Sequence, residues 1–173
     1  MFFFFHIQYY VFSSRYGLGD IAIDDISLSD SCPTEERLCT FEDPIMCKYV
    51  NDPLTQYQWI HTTGLDQVVS DAKPSVDHTD GTTFGAYAMV DISKSSSNNT
   101  DQRARLISPT ITPNGEQCVE FWYYSDGDLL TSSSKLNVLV RANSEQSNSS
   151  NYLIWSKSLP QVNSFESRFF AFY

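Results

Sequence analysis

Short apolar or alternating runs, separated by Gly, Pro, Asn, Asp and Ser, recur along the whole chain, and almost no segment keeps a helical period over a useful length. The pattern predicts an all-β protein. Candidate strands are Ile7 to Phe12, Asp20 to Leu28, Thr40 to Glu42, Trp59 to Thr62, Gly85 to Val90, Ala104 to Ile107, Cys118 to Ser125, Leu136 to Ala142, Tyr152 to Lys157 and Arg168 to Tyr173. Their number and spacing suit a sandwich of two antiparallel sheets better than a small barrel. In Leu136-Asn137-Val138-Leu139-Val140-Arg141 the even positions are all apolar while the odd ones include Asn137 and Arg141, so one face is buried. In Asp20 to Leu28 the large apolar residues change phase at Asp24-Asp25, which predicts a β-bulge there or a strand buried on both sides.

Polar segments at Lys94 to Asp101, Asp126 to Lys135 and Asn143 to Asn151 read as loops, and Ser29 to Leu38 reads as a short linker between two units. Met1 to Phe12 has three readings: a secretory h-region lacking a preceding Lys or Arg, a buried aromatic strand, or, for its first Phe residues, a truncation artefact. The run Phe121-Trp122-Tyr123-Tyr124 could form a sugar-stacking platform, but its alternation fits a central strand between two layers.

Composition narrows the function. The 173 residues carry 41% apolar and 14% aromatic positions, too many for a disordered chain. Eleven Lys plus Arg against 21 Asp plus Glu give a net charge of −10, which removes the electrostatic footprint for nucleic acid and opposes docking on anionic lipid. No stretch reaches the ~20 apolar residues of a spanning helix, so this segment is expected to have no direct membrane insertion. The histidines His6, His61 and His78 are scattered, and neither a zincin motif, a nucleophile elbow nor a phosphate-cradling loop is present. The chain is therefore read as no enzyme. Cys32, Cys39, Cys47 and Cys118 lack zinc-site spacing, and their even count suggests disulfides. Acceptor triplets begin at Asn98 and Asn148, and together these features favour an oxidising, extracellular compartment with glycosylation at both.

Several motifs in order carry a specific resemblance. Gly19 to Ile26 followed by Cys32-Pro33 is similar to the closing strand and last cysteine of a MAM domain, the module of meprin, the A5 protein and receptor tyrosine phosphatase mu. Cys39-Thr40-Phe41-Glu42-Asp43 with Cys47, then Trp59, Gly81, Gly85 to Ala88, Ser108-Pro109 and Cys118 to Tyr124 resemble the landmarks of a second one. On that resemblance, residues 1–33 are the C-terminal strands of a preceding repeat and residues 34–173 a MAM domain lacking its closing strands. It implies a jelly-roll sandwich that the N-terminal hairpin, Tyr9 to Leu28, completes in permuted order, with Asp20 to Leu28 next to the strand at Cys39.

The resemblance also implies a Cys39–Cys47 disulfide, across a short loop that Asp43-Pro44 can turn, and a Cys32–Cys118 bridge in place of the family's second. In an intact parent protein the alternative is that Cys32 and Cys118 each bond within their own module. A structural Ca or Na ion is expected near Glu42 with Asp24, Asp25 and Asp77, the competing reading being that these carboxylates accept hydrogen bonds at strand ends. The implied function is a non-enzymatic adhesion or ligand-binding module of a multidomain secreted or membrane-anchored protein, with a protein partner at the cell surface or in the extracellular matrix. The alternatives are a carbohydrate-binding jelly roll and an accessory domain of a membrane-anchored metalloprotease.

Overall fold

The computed structural model describes residues 4–13, 19–29, 39–66, 73–92, 102–112, 115–126, 134–144, 147–158 and 162–172. Among the described residues ten strands form in chain order: β1 Phe4–Ser13, β2 Asp20–Ser29, β3 Val50–Asn51, β4 Ile60–Thr63, β5 Ala86–Asp91, β6 Gln102–Ile107, β7 Gln117–Asp126, β8 Lys135–Ser144, β9 Ser147–Ser158 and β10 Val162–Phe172. The first sheet has the order β3-β6-β1-β8-β9 and the second β10-β7-β2-β5-β4, with every neighbouring pair antiparallel. The all-β sandwich read from the sequence is thus the fold.

The two N-terminal strands behave differently from the hairpin expected. They do not pair with each other: β1 lies between β6 and β8 at the centre of one sheet, and β2 between β5 and β7 at the centre of the other. The reason is their content of apolar side chains. Phe5, Ile7, Tyr9 and Val11 enter the core from one layer, while β2 is buried along Asp20 to Ser27 and needs neighbours on both edges and cover on both faces. The pairing of β2 with the segment at Cys39 holds, through mutual Ile26 and Cys39 backbone hydrogen bonds of 2.8 Å.

The core between the sheets joins Tyr9, Ile21, Ile23, Trp59, Leu106, Phe121, Tyr123, Leu136 and Val138. The Tyr9 and Phe121 rings meet edge to face at 5.2 Å, the arrangement that ring quadrupoles favour. In β7, Phe121 and Tyr123 point into this core as their alternation requires. Tyr124 joins a second cluster with Ala22, Tyr87 and Met89, on the outer face of the second sheet.

Three local expectations change. Thr40 to Glu42 is no strand: only Cys39 bridges, and Phe41 takes a φ of +58°, turning the chain so that its ring is fully buried. Asn143 to Asn151 is no open loop, since β8 and β9 close a tight hairpin with Ser144 opposite Ser147. Ser150 and Asn151 are exposed on this edge strand, and polar side chains on an edge discourage unwanted pairing. The expected loop at Asp126 to Lys135 begins and ends on strand residues, while Lys94 to Asp101 lies outside the described residues.

Candidate functional site

The phase change at Asp24-Asp25 is a bulge. Asp24 pairs with Trp122 and Ser27 with Glu120, so β2 spends one residue more than β7 over this span, and Asp25 takes a φ of +48°. The extra residue turns two carboxylates toward the segment 77–82. Asp24 accepts from the backbone N–H of Asp25 at 2.8 Å and of His78 at 2.9 Å. Asp25 meets His78 Nδ1 at 2.5 Å and accepts from the Thr79 hydroxyl at 2.8 Å. Burial pushes the Asp24 carboxyl up to about 8, and the charges of Asp25 and Asp77 push the same way against the two N–H donors.

His78 then lies flat on Trp122, with ring centroids 3.6 Å apart and planes 17° from parallel. Strand β7 thereby holds a loop on the outer face of its own sheet. Tyr87 fastens the same loop from below, its hydroxyl donating to the Pro74 carbonyl at 2.6 Å.

Asp77 organises the turn. Its carboxylate accepts from the N–H groups of Asp80 at 2.7 Å and Thr82 at 2.8 Å, and Gly81 supplies a φ of +67°. At Gly85 an added Cβ would fall 2.2 Å from Asp77 Cγ, so the carboxylate and the missing side chain depend on each other. Glu42 approaches from the other side and accepts from the Ala86 N–H at 2.9 Å.

The structure brings Glu42 and Asp77 together with Asp80, whose part the sequence reading missed; carboxylate oxygens of the three lie within 4.8 Å of one another. Ligand oxygens 2.3–2.6 Å from one Ca ion can be no farther apart than about 5 Å, so the hard-oxygen set fits such an ion. Asp24 and Asp25 turn their oxygens to His78 and Thr79. The pattern Asp77-x-x-Asp80-Gly81 could have pointed to Asp80, as an acidic turn closing on a glycine.

Cys39 and Cys47 form a disulfide, with Cα atoms 5.6 Å apart. Cys118 is also disulfide-bonded, while Cys32 lies outside the described residues. Asn98 lies outside them too, and Asn148 belongs to β9. The histidines stay at three separate places: His6 Nδ1 meets the Ser108 carbonyl and His61 Nε2 the Phe41 carbonyl.

A family model described as MAM domain, meprin/A5/mu matches residues 39–167. The chain belongs to the MAM family. A relative from Gallus gallus, MAM domain-containing glycosylphosphatidylinositol anchor protein 1, is 30% identical over 140 residues. The alignment covers 77% of this chain and 14% of that relative's length. No solved structure matches the chain. The matched MAM span begins at the first bridge cysteine and holds both glycines of the Asp77 turn, while β1 and β2 lie before it. Membership places the chain outside the cell, in a secreted or surface-anchored protein. Among the described residues no helix is long and apolar enough to cross a membrane.

Proposed function

We propose that this MAM chain is a non-enzymatic adhesion or ligand-binding module of a multidomain protein, recognising a protein partner at the cell surface or in the extracellular matrix. The observation that carries this reading is the family match over 39–167, on a sandwich whose gathered carboxylates fasten a loop to a sheet. The relative's name, which speaks of a glycosylphosphatidylinositol anchor, supports a place at the cell surface. The carbohydrate-binding alternative asks for an exposed row of aromatics. In β7, Trp122 is covered by His78, Phe121 and Tyr123 are fully buried, and Tyr124 is 8% exposed.

The same proposal takes residues 1–33 as closing strands of one repeat and residues 34–173 as the body of the next. It also gives the module a structural Ca or Na ion at Glu42, Asp77 and Asp80, and N-glycans at Asn98 and Asn148. A mass unchanged by a glycan-removing amidase, after secretion from a eukaryotic host, removes the glycans from it.

Beads coated with the glycosylated chain test the function. Saturable attachment to cells, lost when cell-surface proteins are removed by protease, is the expected result. Attachment that survives protease and disappears with glycosidase, or that is matched by strong hits on a glycan array, transfers the reading to carbohydrate.

A further inference from the structure

The ring that the Cys39–Cys47 disulfide closes holds backbone that residues with a side chain avoid. Among the described residues five non-glycine positions take a positive φ, and four of them, Phe41, Met46, Cys47 and Lys48, lie in this segment. Met46, Cys47 and Lys48 are consecutive, at +52°, +53° and +64°. The turn is bonded from the Met46 N–H to the Asp43 carbonyl at 3.0 Å, from Lys48 to Ile45 at 3.1 Å and from Tyr49 to Met46 at 2.9 Å. In the left-handed region a Cβ crowds the following carbonyl, so each such residue is strained and persists only where its surroundings impose it. The bridge imposes it here, since Cys47 is itself one of the three residues. Met46 and Tyr49, packed against the core, hold the turn from the other side.

The bridge is also within reach of a reagent. Cys47 is half-buried, Glu42 to Ile45 inside the ring are exposed, and both cysteines line a cavity of about 170 Å3 beside Ile7, Leu28 and Tyr49. Cys118, by contrast, is 1% exposed in β7. Strained or accessible disulfides exchange, whereas unstrained buried ones resist. We infer that Cys39–Cys47 is a redox-cleavable bridge, opened by a dithiol reductant while the bridge of Cys118 stays closed. The reductant's thiolate attacks Cys47 Sγ, the more exposed sulfur; the S–S bond breaks, and its electron pair leaves on Cys39, which takes up a proton. The second thiol of the reductant, as thiolate, then attacks the mixed disulfide and releases Cys47, which is protonated in turn. The bridge gains two electrons and two protons, and the dithiol loses them. Once free, residues 46–48 return to right-handed backbone, and that relaxation favours the open form. The change is local, because Cys39 stays tied to Ile26 of β2 by its two backbone hydrogen bonds of 2.8 Å.

The test equilibrates the whole folded chain with rising ratios of reduced to oxidised dithiothreitol, then alkylates free thiols and locates them by peptide mass. Cys39 and Cys47 should become alkylated together, at a ratio roughly thirtyfold below the one that opens Cys118. Amide NMR shifts on opening should be confined to the ring, its flanks and the cavity wall. Two substitutions at an exposed position separate strain from charge. Lys48→Gly places at +64° the residue that takes a positive φ without strain, and should make the bridge roughly threefold harder to open. Lys48→Ala removes the ammonium and keeps the strain, and should leave the opening ratio as it is in the parent chain. Opening of Cys118 first or at the same ratio, loss of the whole fold as Cys39 and Cys47 open, or equal ratios for the two Lys48 variants would overturn the inference.

Discussion

The outer faces of the two sheets are built on opposite terms. On the first sheet, Lys135 and Arg103 are exposed and Asn137, Leu139 and Arg105 are half-buried, while the alternate residues Leu136, Val138, Ala104 and Leu106 fill the core. On the second sheet, β5 is buried at every position and β2 from Asp20 to Ser27; the segment 73–85 is fastened over Tyr87 through Pro74, and Ala22, Tyr87, Met89 and Tyr124 pack together with Phe165 on the outer side. Apart from Gln8, which is fully buried at the centre of β1, the outer face of the first sheet reaches water at Lys135 and Arg103 and in part at Asn137, Leu139 and Arg105, while the second sheet has a loop in that place. The covered sheet and its loop therefore carry the buried carboxylates of Asp24, Asp25 and Asp77 and the imidazole stack. The bare sheet carries exposed charges such as Lys135, whose removal should be cheap.

The largest expected effect falls on the cross-links of the covered sheet, since Cys118 lies in β7 and Cys39 bridges β2. Ser29 pairs with Cys118, so the chain leaves β2 beside that cysteine, and the partner we assign to it is Cys32. A loop of that length is worth roughly 4 to 5 kcal/mol in the chain-entropy model, against roughly 2 to 3 for the short Cys39–Cys47 ring. In urea titrations Cys118→Ala should lose that larger amount and Cys47→Ala the smaller. Equal losses would show that Cys118 closes no long loop, and the second sheet would lose its special tie.

Acidity should separate the faces next. Asp24, held near 8 in the fold against an ordinary carboxyl near 4 when unfolded, keeps its proton only in the native state between those values. The native state then binds more protons, so stability falls as pH rises through that window, by up to about 1.4 kcal/mol per unit, and levels off above 8. Melting in chelator between pH 5 and 8 should show this decline, and Asp24→Asn should flatten it. An unchanged slope in the variant would mean that the carboxylate is solvated after all.

Truncations on the two outer faces should then differ. Trp122→Ala removes the ring under His78 and should cost about 2 to 3 kcal/mol, whereas Lys135→Ala should stay within about 0.5. Similar losses at both positions would erase the distinction between a covered and a bare sheet.

The same contrast explains what could be read in advance. Strand β8 was legible because half its side chains meet water, which writes a period of two into the sequence. The bulge was legible as the break in that period at Asp24-Asp25. The covering loop was not, because Lys73 to Gly85 is largely polar and is held through hydrogen bonds between side chains and backbone groups, which no hydrophobic pattern records. Strand β3 was missed for a related reason: Val50 and Asn51 extend only because Ile107 and Leu106 lie alongside. The different sheets of β1 and β2 were hidden as well, since each run of apolar residues states that it is buried and not beside what.

The smallest expected effect concerns the ion, and it falls on the covered sheet alone. Glu42 and Asp80 are exposed, so like-charge repulsion with the buried Asp77 is screened on one side, and an ion there should bind weakly. Three carboxylates nevertheless sit closer than they would without the Asp77 turn and the Ala86 N–H to place them. Calcium at tenfold excess over its dissociation constant adds about 1.4 kcal/mol, a rise of a few degrees in Tm for a chain of this size. Asp80→Asn should abolish the rise while leaving the fold intact, because it is the Asp80 N–H, unchanged by the substitution, that bonds Asp77. If Tm with calcium equals Tm with chelator in the parent chain, Glu42 and Asp77 serve only their backbone donors, and the covered sheet's acidity belongs to the loop.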